Sequence, residues 1–469
     1  MKKVLILGGG ISGLSTAWLL DKQAREAGLS LDICLLEQEQ QPGGKIKSVR
    51  EDGFLCEWGP NGFLDSKPQT LDLCTALGIS HRLHRSNDNA RKRFIFTGGQ
   101  LHRLPENGPS FLKSTLLSWP GKFRLLGEPF AANPPGNDET LADFGRRRLG
   151  AEALQKLIAP MASGIFAGDP ETMSLVSCFP RIAELEREYG GLFMAMIALA
   201  KKKKQERKEG KISSSAAGPG GTLTSFKEGI QFLTDTLATQ LGERVKTGVT
   251  AIDISRNTQG WEVRTSDGTV HQADLVISAA PAYAAAALLG TVDTPLTETL
   301  CQIPYSTLNV VCCGYQTAEL GHPLDGFGYL VPKEEGRTVL GTLWDSSMFE
   351  ERAPTGMALL RSMAGGACKP ELLELPEADL LQRVRDDLQA AMGITQAPCF
   401  SRIIRHQQAI PQYTVGHGKR LELIDSRLNS LPGLLLTGNA FKGVGLNDCV
   451  AASQVTVDKA MTFLGGTKL

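Results

Sequence analysis

The chain of 469 residues lacks the features that mark several large protein classes. Lysine plus arginine and aspartate plus glutamate number 50 each, so no net charge favours nucleic acid as a partner. No uncharged run outside the glycine-rich N-terminal unit reaches the length of a transmembrane helix. The ten cysteines are scattered, without a CxxC pair or metal-ligand spacing. We therefore expect a cytoplasmic protein of two or three domains with reduced thiols and no metal site.

Glycine, by contrast, is concentrated near the N-terminus. A strand-like run leads into GGGISG at residues 8–13, a helix-like segment follows, and a second strand ends in Glu37. In this pattern Gly8 allows the tight turn, Gly10 lets the backbone approach a pyrophosphate, and Gly13 lets helix and strand pack closely. Glu37 stands where an acid can bind ribose hydroxyls. The unit therefore predicts a dinucleotide-binding βαβ motif.

A second glycine-rich turn lies near the C-terminus. Residues 434–438 predict a strand, 439–445 a turn, and about 447–463 a helix whose N-terminus faces the cofactor. Two such helix N-termini at opposite ends of the chain suit a long cofactor with a pyrophosphate and a flavin ring, so FAD fits better than NAD. The alternative is an ordinary final helix that packs against the sheet.

The middle of the chain divides into two further regions. Residues 106–212 read mainly as helices broken by prolines, whereas residues 290–425 mix strands with a few helices. A hairpin is predicted at 260–271, and the apolar run 274–281 predicts a buried parallel strand that rejoins the first sheet. The overall expectation is an α/β protein with a discontinuous, Rossmann-like nucleotide domain.

Several motifs carry a resemblance to a known family. Glu37 with the GG-containing residues 41–45 resembles the glycine-glycine motif of the flavin amine oxidase superfamily, although Gln41 and Lys45 stand in place of its usual arginines. The stretch TGNAFKGVGLNDC at 437–449 resembles the C-terminal flavin motif of the oxygen-dependent protoporphyrinogen oxidase family. Matching stretches follow in order: EWGPNGF at 57–63, KRF at 92–94, GIFAGD at 164–169, GFGYLVP at 326–332 and IPQY at 410–413.

The resemblance implies an architecture and an activity. It implies a mixed-sheet substrate domain and a helical membrane-associating domain beside the FAD domain. The expected activity is the six-electron oxidation of protoporphyrinogen IX to protoporphyrin IX in haem biosynthesis, by three two-electron flavin cycles with O2 as acceptor and H2O2 as product. It also implies noncovalent FAD, a homodimer, a ferrochelatase partner and peripheral contact with the inner face of the cell membrane. The domain boundaries are expected at 1–90, 213–290 and 426–469 (FAD), 91–105 and 291–425 (substrate), and 106–212 (helical).

The predicted FAD contacts combine the two glycine-rich turns with residues placed by the resemblance. Val249 is included because a backbone pair near that position often holds the adenine in this superfamily. Cys449 stands at the start of the last helix, where a thiolate is favoured, but the family binds FAD noncovalently. The full predicted set is Gly8, Gly10, Ile11, Ser12, Gly13, Glu37, Lys45, Gly59, Val249, Gly438, Val444, Gly445 and Leu446.

Arg93 is the predicted anchor of the substrate. It opens the alternating strand RFIF and matches the propionate-binding arginine of the family. A guanidinium binds a carboxylate through two parallel hydrogen bonds, which suits a substrate with propionate arms. The alternative is a solvated basic surface, because Arg91 and Lys92 precede it.

Other predicted substrate residues are less specific. Asn61 stands in a turn expected to face the flavin, and it is also a common turn former. Leu330, Leu343 and Met363 match apolar positions that sandwich the macrocycle in the family, and ordinary core packing is their alternative. Gly164 matches a glycine that lines the substrate cavity, or else breaks a helix. No protein side chain is predicted as a catalyst, because the flavin carries the chemistry.

An apolar run at 191–200 precedes four lysines at 201–204. The run is too short to span a bilayer, but it can lie in the interface with the lysines on anionic headgroups. A surface helix with a solvated charged end is the alternative.

Three other functions remain open. The first is oxidation of coproporphyrinogen III to coproporphyrin III by the same chemistry, with a substrate that carries four propionates. The second is an amine oxidase, although the chain has only six tyrosines and five tryptophans for the aromatic cage of those enzymes. The third is a non-catalytic protein of the same fold that binds lipidated partners and needs no flavin-ring site.

Overall fold

The computed structural model describes residues 1–87, 91–134, 136, 138–208 and 221–465, with no side chains described at 203–208. The side chains of Lys203 and Lys204, and the chain at 213–220, lie outside the described residues. The strands are, in chain order, β1 Lys2–Leu7, β2 Leu31–Glu37, β3 Ser48–Glu51, β4 Phe54–Glu57, β5 Phe63–Leu64, β6 Leu83–Arg85, β7 Arg93–Thr97, β8 Gln100–Arg103, β9 Leu223–Phe226, β10 Val245–Thr247, β11 Ala251–Asn257, β12 Gly260–Thr265, β13 Val270–Ala273, β14 Leu275–Ser278, β15 Tyr305–Gln316, β16 Gly328–Leu330, β17 Val339–Trp344, β18 Met357–Gly365, β19 Phe400–Pro411 and β20 Leu434–Leu436.

The α-helices alternate with these strands at both ends of the chain and dominate its second quarter. They are α1 Ile11–Glu26, α2 Pro68–Ala76, α3 Gly108–Lys113, α4 Trp119–Leu126, α5 Leu141–Phe144, α6 Ala151–Ala153, α7 Ala159–Phe166, α8 Leu175–Cys178, α9 Pro180–Tyr189, α10 Leu192–Lys208, α11 Gln231–Leu241, α12 Ala282–Leu288, α13 Thr294–Cys301, α14 Asp345–Met348, α15 Glu377–Met392, α16 His417–Asn429 and α17 Leu446–Leu464.

A parallel sheet of five strands, in the order β10-β2-β1-β14-β20, forms the nucleotide-binding core. Its central strands are apolar runs buried on both faces, as parallel strands covered by helices must be. Helices α1, α11 and α17 cover one face, and α12, α13 and the hairpin strands cover the other. The predicted strand at 274–281 is confirmed as β14, in which Ser278 pairs with Leu7 of β1. All five strands therefore end at the same edge.

A second sheet of seven strands has the order β19-β15-β18-β17-β16-β7-β8. One of its faces packs against α15 through a core that includes Phe96, Tyr329 and Leu360. Residues on the two faces alternate along each strand, so the neighbours of these side chains point to the other face. The predicted substrate residues Arg93, Leu330, Leu343 and Met363 lie on that second face.

The region between β8 and β9 is helical, as its sequence indicates, and contains α3 to α10. Its interior holds a buried charge cluster in which Arg148 lies beside Glu128 and Glu186, with every side chain at most 2% exposed. Within the described residues, no helix combines the length and the apolar character needed to cross a bilayer. The peripheral membrane association predicted for this region stays a prediction.

Candidate cofactor and substrate site

The edge at which the five parallel strands end collects the predicted cofactor residues. Gly8 follows β1, Glu37 ends β2, Val249 lies just past β10 and Gly438 lies just past β20. These residues are far apart in sequence, but the strand register brings them to one line. In open α/β sheets, ligands bind at this carboxyl edge.

The first glycine turn leaves space for a diphosphate. A Cβ on Gly10 would meet no atom within 4 Å, whereas a Cβ on Gly13 would lie 1.9 Å from the Gly8 carbonyl oxygen. Gly13 therefore allows the close helix–strand approach, and Gly10 lines an open space. Helix α1 has no side-chain cap and no acidic residue in its first turn, so its first N–H groups are available to phosphate oxygens. These residues fit the cofactor.

Glu37 is 6% exposed and lies against the same turn. Its carboxylate accepts the N–H of Gly9 at 2.5 Å and the N–H of Glu39 at 2.8 Å. A carboxylate has about four acceptor sites, so two remain for ribose hydroxyls. Val249 donates its N–H to the Glu37 carbonyl at 2.9 Å. The backbone group of Val249 that is left for the adenine is therefore its own carbonyl, and not the predicted pair of N–H and carbonyl.

The glycine-glycine turn folds over the diphosphate turn. Gly43 donates its N–H to the Gly9 carbonyl at 2.8 Å, and a Cβ on Gly44 would lie 3.2 Å from the Gly10 Cα. The chain then returns at Gly59, where a Cβ would lie 2.7 Å from the Lys45 carbonyl oxygen. Three glycine-containing segments therefore stack at the point predicted for the cofactor.

The sequence predicts that Lys45 contacts the cofactor at this turn, but its side chain points away from the turn. Its ammonium donates to the carbonyls of Gln408 and Ala409, the latter at 2.5 Å, and lies 5.4 Å from the centre of the Tyr305 ring. Burial lowers the pKa of Lys45 to about 8. The side chain ties the nucleotide region to β19, and its contact with FAD stays a prediction.

The C-terminal turn lies beside the N-terminal one. A Cβ on Gly438, with φ of +124°, would lie 4.0 Å from Ser12 Oγ, and Ser453 of α17 donates to the Ser12 carbonyl at 3.0 Å. Leu446 is buried in the same core as Ile11, and Val444 packs against the helical region. Asp448 caps α17 by accepting the Gly445 N–H at 3.2 Å.

Cys449 is 6% exposed, and burial raises the pKa of its thiol to about 11. The idea that its helix position favours the thiolate is therefore wrong, because desolvation outweighs the helix dipole. A neutral thiol is a poor nucleophile, which agrees with noncovalent FAD.

The seven-stranded sheet aligns the predicted substrate residues in two rows. One row contains Arg93, Gly328, Leu343 and Arg361, each directly opposite the next in adjacent strands, and the second row contains Ile95, Leu330, Gly341 and Met363. Directly opposed residues project to the same face. Both rows lie on the face opposite α15, so the arginine and the three apolar residues share one surface.

Gly164 of α7 lies against this surface. A Cβ on Gly164 would lie 2.8 Å from Leu330 Cδ2, and a Cβ on Gly341 would lie 2.9 Å from the same atom. The two glycines therefore make room for the Leu330 side chain between α7 and β17. The contact brings the helical region to the substrate wall.

Arg93 stands at the end of the first row. Its guanidinium lies 5.1 Å from the centre of the Phe327 ring and, among the described residues, is paired with no carboxylate. Arg93 keeps contact with solvent, but the protein atoms around its guanidinium partly desolvate it and lower its pKa. Lys92, one residue earlier, is paired with Asp325. Arg93 is therefore the unpaired cation of this row and can receive an anionic substrate.

Asn61 belongs to a buried polar group that sequence reasoning did not find. Its Nδ2 donates to Asp345 Oδ1 at 3.1 Å, and Arg361 donates from Nε to Asp345 Oδ2 at 2.7 Å and from Nη1 to the Gly59 carbonyl at 2.9 Å. Asp345 and Arg361 are at most 1% exposed. In this conformation the Asn61 amide faces Asp345, and its contact with substrate stays a prediction.

A second buried ion pair lies next to the first. Arg352 donates to Glu57 at 2.8 Å and to Ser225 Oγ at 2.9 Å, and Ile230 donates its N–H to Glu57 at 3.0 Å. Burial raises the pKa of Glu57 against the opposing effect of Arg352. The two pairs fasten residues 57–61 to the substrate sheet. The described residues contain no His, Cys, Asp and Glu cluster that could hold a metal.

A parallel sheet whose carboxyl edge carries two glycine-rich turns, each leading into a helix, defines an FAD-binding α/β protein. The sequence profile of the flavin containing amine oxidoreductase family matches residues 11–459. The chain belongs to this family and is an FAD-dependent oxidoreductase.

The relatives share nearly the whole chain. Its alignment with coproporphyrinogen III oxidase of Bacillus subtilis is 474 positions long and 30% identical, and it covers 99% of this chain and 98% of that protein. It is 32% identical to the chloroplastic protoporphyrinogen oxidase of rice, Oryza sativa subsp. japonica, with coverages of 98% and 88%. A crystal structure of a protein assigned as protoporphyrinogen oxidase from Exiguobacterium sp. 255-15 superposes with a TM-score of 0.83 at 27% identity, covering 98% of this chain and 99% of that one.

Proposed function

We propose that the protein oxidises protoporphyrinogen IX to protoporphyrin IX, with O2 as acceptor and H2O2 as the second product. The observation that carries the proposal is the substrate face, on which Arg93 and three apolar side chains lie together beside the turn at 59–61. A flat apolar macrocycle with propionate arms needs both features. The names of the full-length relatives support porphyrinogens as the substrate class.

The roles of the residues follow from their positions. FAD, when bound, supplies two-electron oxidation, so six electrons require three cycles. Arg93 orients the substrate by binding a propionate, and Leu330, Leu343 and Met363 exclude water from the macrocycle. The segment at 57–61, fastened by the buried ion pairs, sets the spacing between the cofactor edge and this wall. No side chain is needed as a general base in this scheme.

The alternative substrate is coproporphyrinogen III, favoured by the relative from Bacillus subtilis. Its four propionates call for several cations, whereas within the described rows Arg361 is already paired with Asp345 and leaves Arg93 alone. Within these two rows the single unpaired cation favours the substrate with two propionates, whereas Lys333, Arg337 and Lys369 line the adjoining cavity between α7 and β17.

The deciding experiment offers both porphyrinogens to the purified protein in air and follows porphyrin fluorescence. A clear preference for protoporphyrinogen supports the proposal, whereas a preference for coproporphyrinogen transfers the same site to the second substrate. Activity with neither substrate, in protein that carries FAD, refutes both, and oxidation of amines would then support an amine oxidase.

We further propose the predicted division into FAD, substrate and helical domains, with the helical domain resting on a membrane surface. Support for the membrane contact comes from exposed apolar side chains of α4 and of the turn after it. Phe123 is 66% and Phe130 is 92% exposed, and Trp119 lies one turn before Phe123. Exposed apolar patches of this kind mark membrane or protein contacts. The surface differs from the predicted one at 191–204, although Met196 there is also exposed.

Flotation with anionic liposomes tests the surface. We expect the protein to float with the vesicles and the Phe123→Ser/Phe130→Ser variant to sediment, while the matched Val270→Ser variant, which alters an exposed residue of β13, floats like the parent. Absence of binding at low salt contradicts the proposal. Peripheral binding at the inner face of the cell membrane, a homodimer and transfer to a ferrochelatase also remain proposals, to be tested by fractionation, sedimentation and crosslinking.

A further inference from the structure

The IPQY stretch at 410–413 has no role in the site as described so far. It contains the last two residues of β19 and then enters the space between the helical region and the C-terminal turn. Gln412 is 5% exposed and Tyr413 is 1% exposed. Two buried polar side chains in succession require partners, and their partners lie in two different parts of the site.

Tyr413 holds the turn that precedes α17. Its hydroxyl donates to the Asn439 carbonyl at 2.5 Å, and its ring stacks on the His417 imidazole with 4.3 Å between the ring centres. His417 Nε2 lies 3.1 Å from the Phe441 carbonyl oxygen and therefore donates to it. Burial raises the pKa of Tyr413, so the phenol keeps the proton that it donates. The stacked pair fixes two carbonyls of the turn at 437–445.

Gln412 holds the end of the helix that carries Gly164. Its Nε2 donates to the Phe166 carbonyl at 2.8 Å, and Phe166 is the last residue of α7. The next residue, Ala167, has φ of +47°, so the helix cannot continue and its final carbonyls need outside donors. Gly168 packs against the same amide, because a Cβ there would lie 2.5 Å from Gln412 Oε1. Gln412 thereby sets the position of Gly164 against Leu330.

We propose that Gln412 and Tyr413 form a positioning bridge between the substrate wall and the C-terminal flavin turn. Gln412 fixes the wall through α7, Tyr413 fixes the turn through Asn439, and the two residues are joined by a single peptide bond. The distance between wall and turn is then set by one rigid dipeptide. Reacting groups must be held to within about 0.5 Å for efficient transfer, so loss of either contact impairs turnover. This proposal rests on the proposed function.

Two conservative variants separate the two ends of the bridge. Tyr413→Phe removes the hydroxyl and leaves the ring stack, so we expect FAD to dissociate about five-fold more readily, as loss of one net hydrogen bond implies, with a shifted flavin absorption band and an unchanged KM. Gln412→Met keeps the side-chain length and removes the donor, so we expect unchanged FAD affinity and a KM about five-fold higher.

The matched control is Tyr329→Phe. Tyr329 is 2% exposed, its hydroxyl accepts one hydrogen bond from Thr342 at 3.2 Å, and its ring packs against α15 rather than the site. We expect this variant to leave FAD affinity and KM unchanged. Equal effects of Tyr413→Phe and Tyr329→Phe on FAD affinity, or a kcat in both bridge variants equal to that of the parent protein, overturn the proposal.

The experiment also separates this proposal from the proposed function. FAD titration of the apoprotein requires no porphyrinogen, so the Tyr413 arm is decisive even if the parent protein oxidises neither porphyrinogen. In that case quenching of porphyrin fluorescence on binding replaces KM in the Gln412 arm. Porphyrin affinity that falls in Gln412→Met supports the bridge, and unchanged affinity refutes its substrate end.

Discussion

Replacing Asp345 with asparagine tests the buried ion pair beneath the site. Asp345 and Arg361 are 0% and 1% exposed, and their closest contact is 2.7 Å. Asparagine keeps the shape of the side chain but removes the charge that compensates Arg361. The new side-chain amide offers Nε of Arg361 either an N–H group or a neutral oxygen in place of the carboxylate. The same change weakens the hydrogen bond that Asn61 donates to this position.

The expected loss of stability is large. Removing one partner of a buried pair costs about 3–5 kcal/mol, because the other charge stays buried without compensation. Replacing both partners by apolar residues is often neutral in itself. Here the Asp345→Leu/Arg361→Met variant also strands the Asn61 amide and the Gly59 carbonyl, at about 1–3 kcal/mol for such a buried group. Because two groups are stranded, at about 2–6 kcal/mol in total, we expect the double variant to lose about as much stability as Asp345→Asn.

Urea unfolding followed by tryptophan fluorescence measures these changes, since Trp344 is adjacent to Asp345 and Trp58 is adjacent to Glu57. The control is Glu186→Gln, which breaks a comparably buried pair with Arg148 in the helical region. Both single variants should lose stability, but Asp345→Asn alone should lower kcat, because it alone loosens the segment at 57–61.

Three results would refute this reasoning. A loss below about 1 kcal/mol in Asp345→Asn would mean that the charge of Arg361 is compensated without Asp345. A double variant that loses more than about 6 kcal/mol would mean that the pair stabilises the fold beyond the mutual compensation of its two charges and the hydrogen bonds to Asn61 and Gly59. An equal fall of kcat in Glu186→Gln would show that general loosening, and not the local segment, affects turnover.

Three further predictions concern charged and thiol groups of the site. Arg93→Ala should raise KM about 10- to 100-fold with little change in kcat, since charge-assisted bonds contribute about 1.5–3 kcal/mol; Lys92→Ala, whose ammonium is paired with Asp325, is the control, and an unchanged KM excludes Arg93 from the site. Burial lowers the pKa of Lys45 from 10.5 to about 8, so between these values the unfolded chain binds more protons and stability rises with pH. Urea unfolding midpoints measured between pH 8 and 10.5 should rise with pH in the parent protein and should not rise in Lys45→Met. Acid precipitation should release FAD into the supernatant, because the Cys449 thiol is neutral and buried, and a yellow pellet would contradict this.

The sequence predicts the parts of the fold that depend on local patterns. The glycine turns, the flanking strands and the final helix each follow from neighbouring residues, and the parallel strand rule then brings Gly8, Glu37 and Gly438 to one edge. The final helix was expected at about 447–463 and is found at Leu446–Leu464. The alternation in RFIF likewise places Arg93 on one face of a strand.

The contacts between distant segments could not be predicted in this way. Arg361 occupies an apolar strand, and nothing near it in sequence reveals that Asp345 and the Gly59 carbonyl receive it. Lys45 follows the glycine-glycine turn, yet its ammonium binds carbonyls more than 360 residues away in the chain. Phe130 would be assigned to a core from its hydrophobicity, but it is 92% exposed. Each case depends on tertiary packing, which pattern and spacing do not encode.

The order of strands in the five-stranded sheet has a consequence for how the protein is made. During synthesis, β1 and the diphosphate turn leave the ribosome long before β20 and α17, because nearly the whole chain lies between them. At 5–20 residues per second this delay is about 20–85 s. Throughout it, the apolar face of α1 that packs against α17 has no partner. We therefore expect the cofactor to be loaded late in biogenesis, after β20 and α17 have completed the site.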